Sequence, residues 1–155
     1  MTQEEKELLA KKDFCARLLH GVKVKILDDD VIPYEPNDIG TIVGKEYIND
    51  DIYTVKCERE SWRLVIYKHF IPYLRPLSSM TEEEKEELKE LIDSEDVDEK
   101  GIYFLEGGTL EEYLSQFSYK LCNIINDWLN EHHFDYRSLI EKGLALEAPK
   151  DMYND

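Results

Sequence analysis

At Gly21 the chain changes its hydrophobic period. Upstream, in "MTQEEKELLAKKDFCARLLHG", Leu8, Leu9, Phe14, Cys15, Leu18 and Leu19 recur at near-helical spacing. Thr2 followed by Glu5 gives a capping-box signature, and Gly21 is the stop of a helix over residues 1–21. Downstream, in "VKVKIL", Val22, Val24 and Ile26 alternate with Lys23 and Lys25, the period of a half-buried strand. A helix that feeds directly into strands excludes a pure helix bundle and predicts an α+β chain.

The strand pattern continues. "DDDVIPYEPND" reads as a polar, proline-bearing loop, and "IGTIVGKEYI" as a second strand with Gly40 and Gly44 at bend or bulge positions. "IYTVKCE" and "WRLVIYK" are a third and a fourth strand, with "NDD" and "RES" as turns. Followed by a short "HFIPYL" turn, this series resembles a small SH3-like β-barrel of four or five strands over residues 22–77. The resemblance implies ligand binding in surface grooves lined by aromatic side chains, without naming the ligand. Tyr34, Tyr47, Tyr53, Trp62, Tyr67 and Tyr73 are the candidates, since such rings supply contact area at low entropic cost. The competing reading is that half of them form the barrel core.

Pro76 breaks the strand pattern, and residues 78–108 read as an acidic helix and linker. "MTEEEKEELKELIDSEDVDEK" starts a helix after Ser79 or Thr81, with glutamates in the first turn where the helix dipole favours them. Its apolar positions are only Leu88, Leu91 and Ile92, and 11 acidic against 2 basic residues between Glu82 and Glu99 predict a mostly solvated helix running into a mobile linker. Residues 109–155 read as C-terminal helices and a tail. From Thr109 to His132, Leu110, Tyr113, Leu114, Phe117, Leu121, Ile124, Ile125, Trp128 and Leu129 form one broad apolar face, which must pack against the barrel or a second copy. "DYRSLIEKG" reads as a last short helix with Asp135 as N-cap and Gly143 as stop, and "LALEAPKDMYND" as an extended tail. At 155 residues the four segments are expected to form one compact unit.

Charge narrows the partners. The formal net charge is -16, but residues 1–77 carry 12 basic and 14 acidic groups while residues 78–155 carry 7 and 21. The C-terminal half therefore repels phosphate backbones and anionic membranes and permits a basic partner or simple solubility. A nucleic-acid binder would have to use the basic residues Lys23, Lys25, Lys45, Lys56, Arg59, Arg63, Lys68 and Arg75, a modest patch at best. Rows of carboxylates on the acidic helix admit another idea, a DNA mimic occupying the cleft of a DNA-binding enzyme, against the plainer reading of a solvated helix. Cys15, Cys57 and Cys122 form no C-x-x-C pair and read as reduced, buried residues. "MTQEEKELLAKK" lacks the order of a signal peptide and no apolar run approaches the roughly 18 residues that span a bilayer, so a cytoplasmic, membrane-free protein is expected.

The conspicuous polar constellation is "NEHHFDYRSLIEKG". Chelation from one helix needs ligands at i and i+4, whereas adjacent His132 and His133 diverge by about 100°. The residues at helical spacing are Asp127, Glu131 and Asp135, with Trp128 and Tyr136 four residues from His132 on either side, so a metal site would have to borrow His20 or His69. The structural reading is that a histidine at a helix C-terminus meets the last carbonyls, Asp135 starts the next helix, Phe134 is a buried hinge, and one histidine is packed and the other wet. Cys122 has Ser118 and Asn126 at four residues and no histidine within a turn, so nothing activates its thiolate. "DDDVIPYEPND" lacks the register of a calcium-binding EF-hand loop, and "EGGT" with Thr109 lacks the lysine of a phosphate cradle. No metal, cofactor or catalytic residue is assigned.

"IPYLRPLSSMTEEEKEEL" and "DWLNEHHFDYRSLIEKGLALEAPKDMY" resemble a family of uncharacterised proteins of prophages and mobile elements in gut bacteria. The family's C-terminal motif usually reads Gly where this chain has Ser138, a departure expected to affect only how tightly the short helix packs. The resemblance implies a mobile-element setting and brings no activity, cofactor or catalytic residue. The sequence thus points to a non-enzymatic protein-binding accessory protein, with a homodimer permitted. Its candidate contacts are the six barrel aromatics with His132, His133, Tyr136 and Arg137. The rivals are the acidic DNA-mimic inhibitor and a metal-dependent enzyme using the His132/His133 region.

Overall fold

The computed structural model describes residues 1–27, 37–45, 52–57, 63–93 and 119–153, apart from the side chains of residues 57, 63, 67, 119 and 120. Helix α1 spans Gln3–Arg17, and its N-terminus is closed by the expected capping box: the Glu5 amide donates to Thr2 Oγ1 at 3.2 Å and the Thr2 amide to Glu5 Oε2 at 2.6 Å. A 3₁₀ turn, Leu18–His20, follows, and Gly21 takes the left-handed conformation at φ 65°. That is the glycine punctuation anticipated for a chain leaving a helix into a strand.

Strands β1 (Lys23–Ile26), β2 (Ile39–Lys45), β3 (Ile52–Cys57) and β4 (Arg63–Ile66) form an antiparallel meander. The β2–β3 register shifts between Ile42 and Gly44, so the bulge sits where the glycine indicated. "HFIPYL" is not a turn. After a 3₁₀ turn at Tyr67–His69, β5 (Phe70–Leu74) pairs antiparallel with β1, because Phe70, Pro72 and Leu74 alternate inward. A short β6 (Leu146–Glu147) then adds parallel to the outer side of β5.

The six strands run in the order β4-β3-β2-β1-β5-β6, and the sheet is not closed into a barrel. The SH3-like barrel expected over residues 22–77 is corrected to an open sheet in an α+β fold. The physical reason lies at the edges: β6 takes the outer side of β5, and among the described residues β4 and β6 do not pair with each other.

Two apolar clusters hold the molecule. In the first, α1 lies on the sheet and Phe14 inserts between Tyr53 and Phe70, with ring centroids 5.5 Å and 5.1 Å away. Val22, Val24, Ile26, Ile42, Val55 and Leu74 complete it, with Leu139 and Ala145 from the C-terminal segment. The second joins α2 (Glu82–Asp93) to α3 (Tyr119–Glu131) through Leu88, Ile92, Leu121, Ile125, Trp128 and Leu129, closed by Met80 and Phe134. The described part of the long apolar face packs against the acidic helix, and α3 also touches α1. Few as they are, Leu88 and Ile92 lie four residues apart on one side of α2, and both are buried. Thr81 and Glu84 cap that helix reciprocally, at 3.2 Å and 2.8 Å.

Of the apolar residues at near-helical spacing, Phe14 is buried and Leu9 and Leu18 pack against the core, but the buried stripe also takes in charged residues. Ala10, Asp13, Phe14 and Arg17 face inward, whereas Leu8 is 55% and Leu19 92% exposed. Cys15, expected in the core, is exposed, with Lys45 Nζ 3.3 Å from its sulfur; Cys122 is half-buried. "DYRSLIEKG" forms successive turns and not a helix. Ser138 sits at φ 54°, a left-handed conformation that a helix cannot contain. The Ser138 position is thus set by backbone conformation, which is where a glycine is at home, and not by the packing of a helix.

Candidate functional site

The residues of "NEHHFDYRSLIEKG" converge with α1 and the end of β5 into one polar junction. It begins with the C-terminus of α3. His133 takes φ 60° and donates its amide to the Asn130 carbonyl at 3.1 Å, and Phe134 donates to the Leu129 carbonyl at 2.9 Å. Those two bonds are a Schellman motif with histidine in the place usually given to glycine, and the apolar residue it calls for is Phe134. Asp135 then accepts the amides of Leu139 at 2.7 Å and Ile140 at 2.8 Å, so it caps a turn as anticipated for a helix start.

Main-chain bonds tie this corner to β5: the Arg75 amide donates to the His133 carbonyl at 2.9 Å, and the Asp135 amide to the Arg75 carbonyl at 2.7 Å. The Arg75 guanidinium lies 4.3 Å from the Phe134 ring centroid and forks onto Glu84 at 2.6 Å and 2.9 Å. Burial alone would raise the Glu84 carboxyl, yet the bonds from Arg75 and from the Thr81 amide bring it below its usual range.

Beneath the corner lies a pair that sequence reading did not single out. Asp13 and Arg17 are both fully buried, and Arg17 Nε donates to Asp13 Oδ2 at 2.8 Å. Arg17 Nη2 reaches the Phe134 carbonyl at 2.7 Å, while the second Asp13 oxygen accepts Arg137 Nη1 at 2.7 Å. A clue existed: Asp13 and Arg17 stand at i and i+4, in phase with Ala10 and Phe14. Charge by itself argued for solvent, and only partners far along the chain make their burial tolerable.

The two histidines separate as geometry requires. His132 stacks on Trp128 with centroids 3.9 Å apart, its Nδ1 lies 2.9 Å from the Trp128 carbonyl, and its Nε2 lies 3.9 Å from Glu87. It keeps 24% of its side chain exposed, so it is less wet than expected. His133 is buried and stacks on Tyr153 at 3.8 Å. Burial, with Arg17 next, lowers its pKa to about 3, so its ring is neutral. Tyr136 donates to Asn130 Oδ1 at 3.1 Å, and the Arg137 guanidinium lies 4.6 Å from the Tyr136 ring centroid. Trp128 Nε1 donates to Glu87 at 3.1 Å. Among the described residues, His133 Nδ1 and Arg17 Nη1 are buried without a hydrogen-bond partner, and no three His, Cys, Asp or Glu side chains come together to hold a metal.

The aromatic candidates do not form one groove among the described residues. Tyr53 is fully buried, 5.5 Å from Phe14 and 5.7 Å from Phe70 by ring centroids, so it contributes to the core and not to a surface. Tyr73 is half-buried on β5, and its carbonyl accepts the Tyr153 hydroxyl at 2.7 Å. Tyr34, Tyr47 and Trp62 lie outside the described residues; Tyr67 is described only by its place in the turn before β5.

A cleft of about 470 Å³ opens instead between the N-terminal half of α1 and the start of β5, lined also by Leu27, Gly143 and Leu144. Phe14, Phe70 and Ala10 floor it, Leu27 stands 47% exposed at its mouth, and Lys6, Lys11 and Lys68 line it with the single carboxylate of Glu7. Glu7 accepts a bond from Gln3 Nε2 at 3.4 Å. The volume lies within the range of ligand sites, and the described lining mixes apolar side chains with charged ones. No family model, curated protein or solved structure matches the chain.

Proposed function

We propose that the protein is a non-enzymatic, cytoplasmic binding protein of a mobile element that acts by contact with another protein. The observation that carries this reading is the open cleft beside α1, with its apolar floor and lysine lining. The polar junction supports it from the other side, because its histidines, carboxylates and guanidiniums are spent on holding helix ends and strand ends together. No helix among the described residues is long and apolar enough to cross a membrane.

Affinity capture from the native host, comparing wild type with Leu27→Asp, tests the reading. A reproducible partner that Leu27→Asp fails to retain is the expected result. Turnover of an ester, phosphoester or peptide that disappears in His132→Ala or His133→Ala would overturn it.

One observation favours a second reading, the acidic mimic. Glu83, Glu86, Glu90 and Asp93 are exposed at helical spacing on the side of α2 away from Leu88 and Ile92. Lys85 and Lys89 answer part of that charge, 2.6 Å from Glu82 and 3.6 Å from Glu86. Salt-sensitive competition with DNA for a DNA-binding enzyme, lost on Glu83→Lys with Glu90→Lys, is what this reading expects.

A further inference from the structure

The proposed cleft also carries information about its occupant. We infer that it takes a short linear peptide of a partner protein, with an apolar anchor residue flanked by carboxylates; this inference rests on the binding reading above.

The floor sets the anchor. Phe14 and Phe70 are almost fully buried and packed at 5.1 Å, so they present a fixed apolar base and not an adaptable one. Leu27, 47% exposed, and the neighbouring Leu144 extend that surface to the rim, leaving room for one aromatic or branched aliphatic side chain. A cleft of about 470 Å³ holds a side chain with its flanking backbone, and is too small to seat a folded domain.

The walls set the charge. Among the described residues, three lysines and one carboxylate line this cleft in a chain whose formal net charge is -16. Lys6 and Lys11 rise from α1 and Lys68 from the turn before β5, so positive charge faces the cleft from both sides. Glu7, the opposing carboxylate, already accepts from Gln3. An incoming basic segment would meet lysines from both sides and, among the described lining residues, only the carboxylate of Glu7. An acidic one is drawn to the cleft, while the acidic C-terminal half repels it from elsewhere on the molecule.

The test uses the full chain and a fluorescein-labelled twelve-residue peptide carrying Phe and Leu among Asp and Glu, with a control in which every acid is Lys. Fluorescence polarisation should show saturable binding of the acidic peptide alone, weakening as salt rises. Lys6→Glu with Lys68→Glu should weaken binding about tenfold, and Leu27→Asp likewise, with circular dichroism unchanged. Equal binding of both peptides, or an acidic peptide indifferent to all three substitutions, would overturn the inference. A host partner retained by wild type and by Lys6→Glu/Lys68→Glu alike would also overturn it, yet leave the binding reading standing. Failure to capture any partner, with no peptide bound, would sink both.

Discussion

Replacing Arg17 by Met tests whether the buried pair holds the junction together. Methionine keeps most of the volume and the straight chain, so packing changes little while two bonds disappear, to Asp13 at 2.8 Å and to the Phe134 carbonyl at 2.7 Å. Asp13 is fully buried and would keep only Arg137, and the Phe134 carbonyl would have no donor in its place. Breaking a buried pair from one side destabilises by about 3–5 kcal/mol, so a loss of about 4 kcal/mol is expected. With a urea dependence of about 2 kcal/mol per molar, the unfolding midpoint should fall by roughly 2 M.

The double variant Asp13→Leu/Arg17→Met separates charge from packing. It removes the stranded carboxylate and should recover much of the loss, while the orphaned Phe134 carbonyl still costs about 1–2 kcal/mol. Urea unfolding followed by circular dichroism at pH 7 measures both. A midpoint shift under about 0.5 M for Arg17→Met, or a double variant less stable than the single one, would refute the assignment of Asp13 and Arg17 as a mutually dependent pair.

Three further outcomes follow from the same geometry. Ser138→Gly should stabilise the protein by about 0.5–1 kcal/mol, read as a rise of roughly 1–4 °C in Tm, because glycine relieves the left-handed φ of 54°; a lower Tm would contradict it. In Tyr153→Phe, the amide of Lys23 and the carbonyl of Tyr73 lose the hydroxyl that bridges them at 3.0 Å and 2.7 Å, so stability should drop by about 2 kcal/mol and the Lys23 amide should lose hydrogen-exchange protection. His133 is held neutral with its pKa lowered from 6.5 to about 3, so below pH 6.5 the unfolded chain binds the extra proton. Its contribution is full above that pH and drains by about 1.4 kcal/mol per unit on the way to pH 3. His133→Asn, which suits a positive φ, should flatten the stability-against-pH slope in this window, and an unchanged slope would show that His133 is not its source.

Legibility followed the range of the interaction. The two capping boxes, Thr2 with Glu5 and Thr81 with Glu84, are bonds between residues three apart, and both were readable as patterns. The period change at Gly21, the alternation of Val22, Val24 and Ile26, and the buried Leu88 and Ile92 were equally local. His132 and His133 could be separated by helical geometry alone, and Asp135 could be named a cap although the helix it was to start became a run of turns.

What the sequence determined by itself was therefore the kind of each element and most of its punctuation, since those rest on bonds within a turn and on the faces that a period defines. Tertiary structure decided that the inward face of α1 carries Asp13 and Arg17 while Leu8 stays exposed. It could do so because Arg137 and the Phe134 carbonyl, more than a hundred residues away, bond the buried Asp13 carboxylate and Arg17 Nη2, although Arg17 Nη1 stays without a hydrogen-bond partner among the described residues. It also decided that the sheet stays open, with β6 on the edge of β5, and that Tyr153 stitches β1 to β5. The cleft beside α1 belongs to the same class: Lys6, Leu27, Lys68 and Leu144 have no shared pattern in the chain, and meet only because the fold brings two of its edges together.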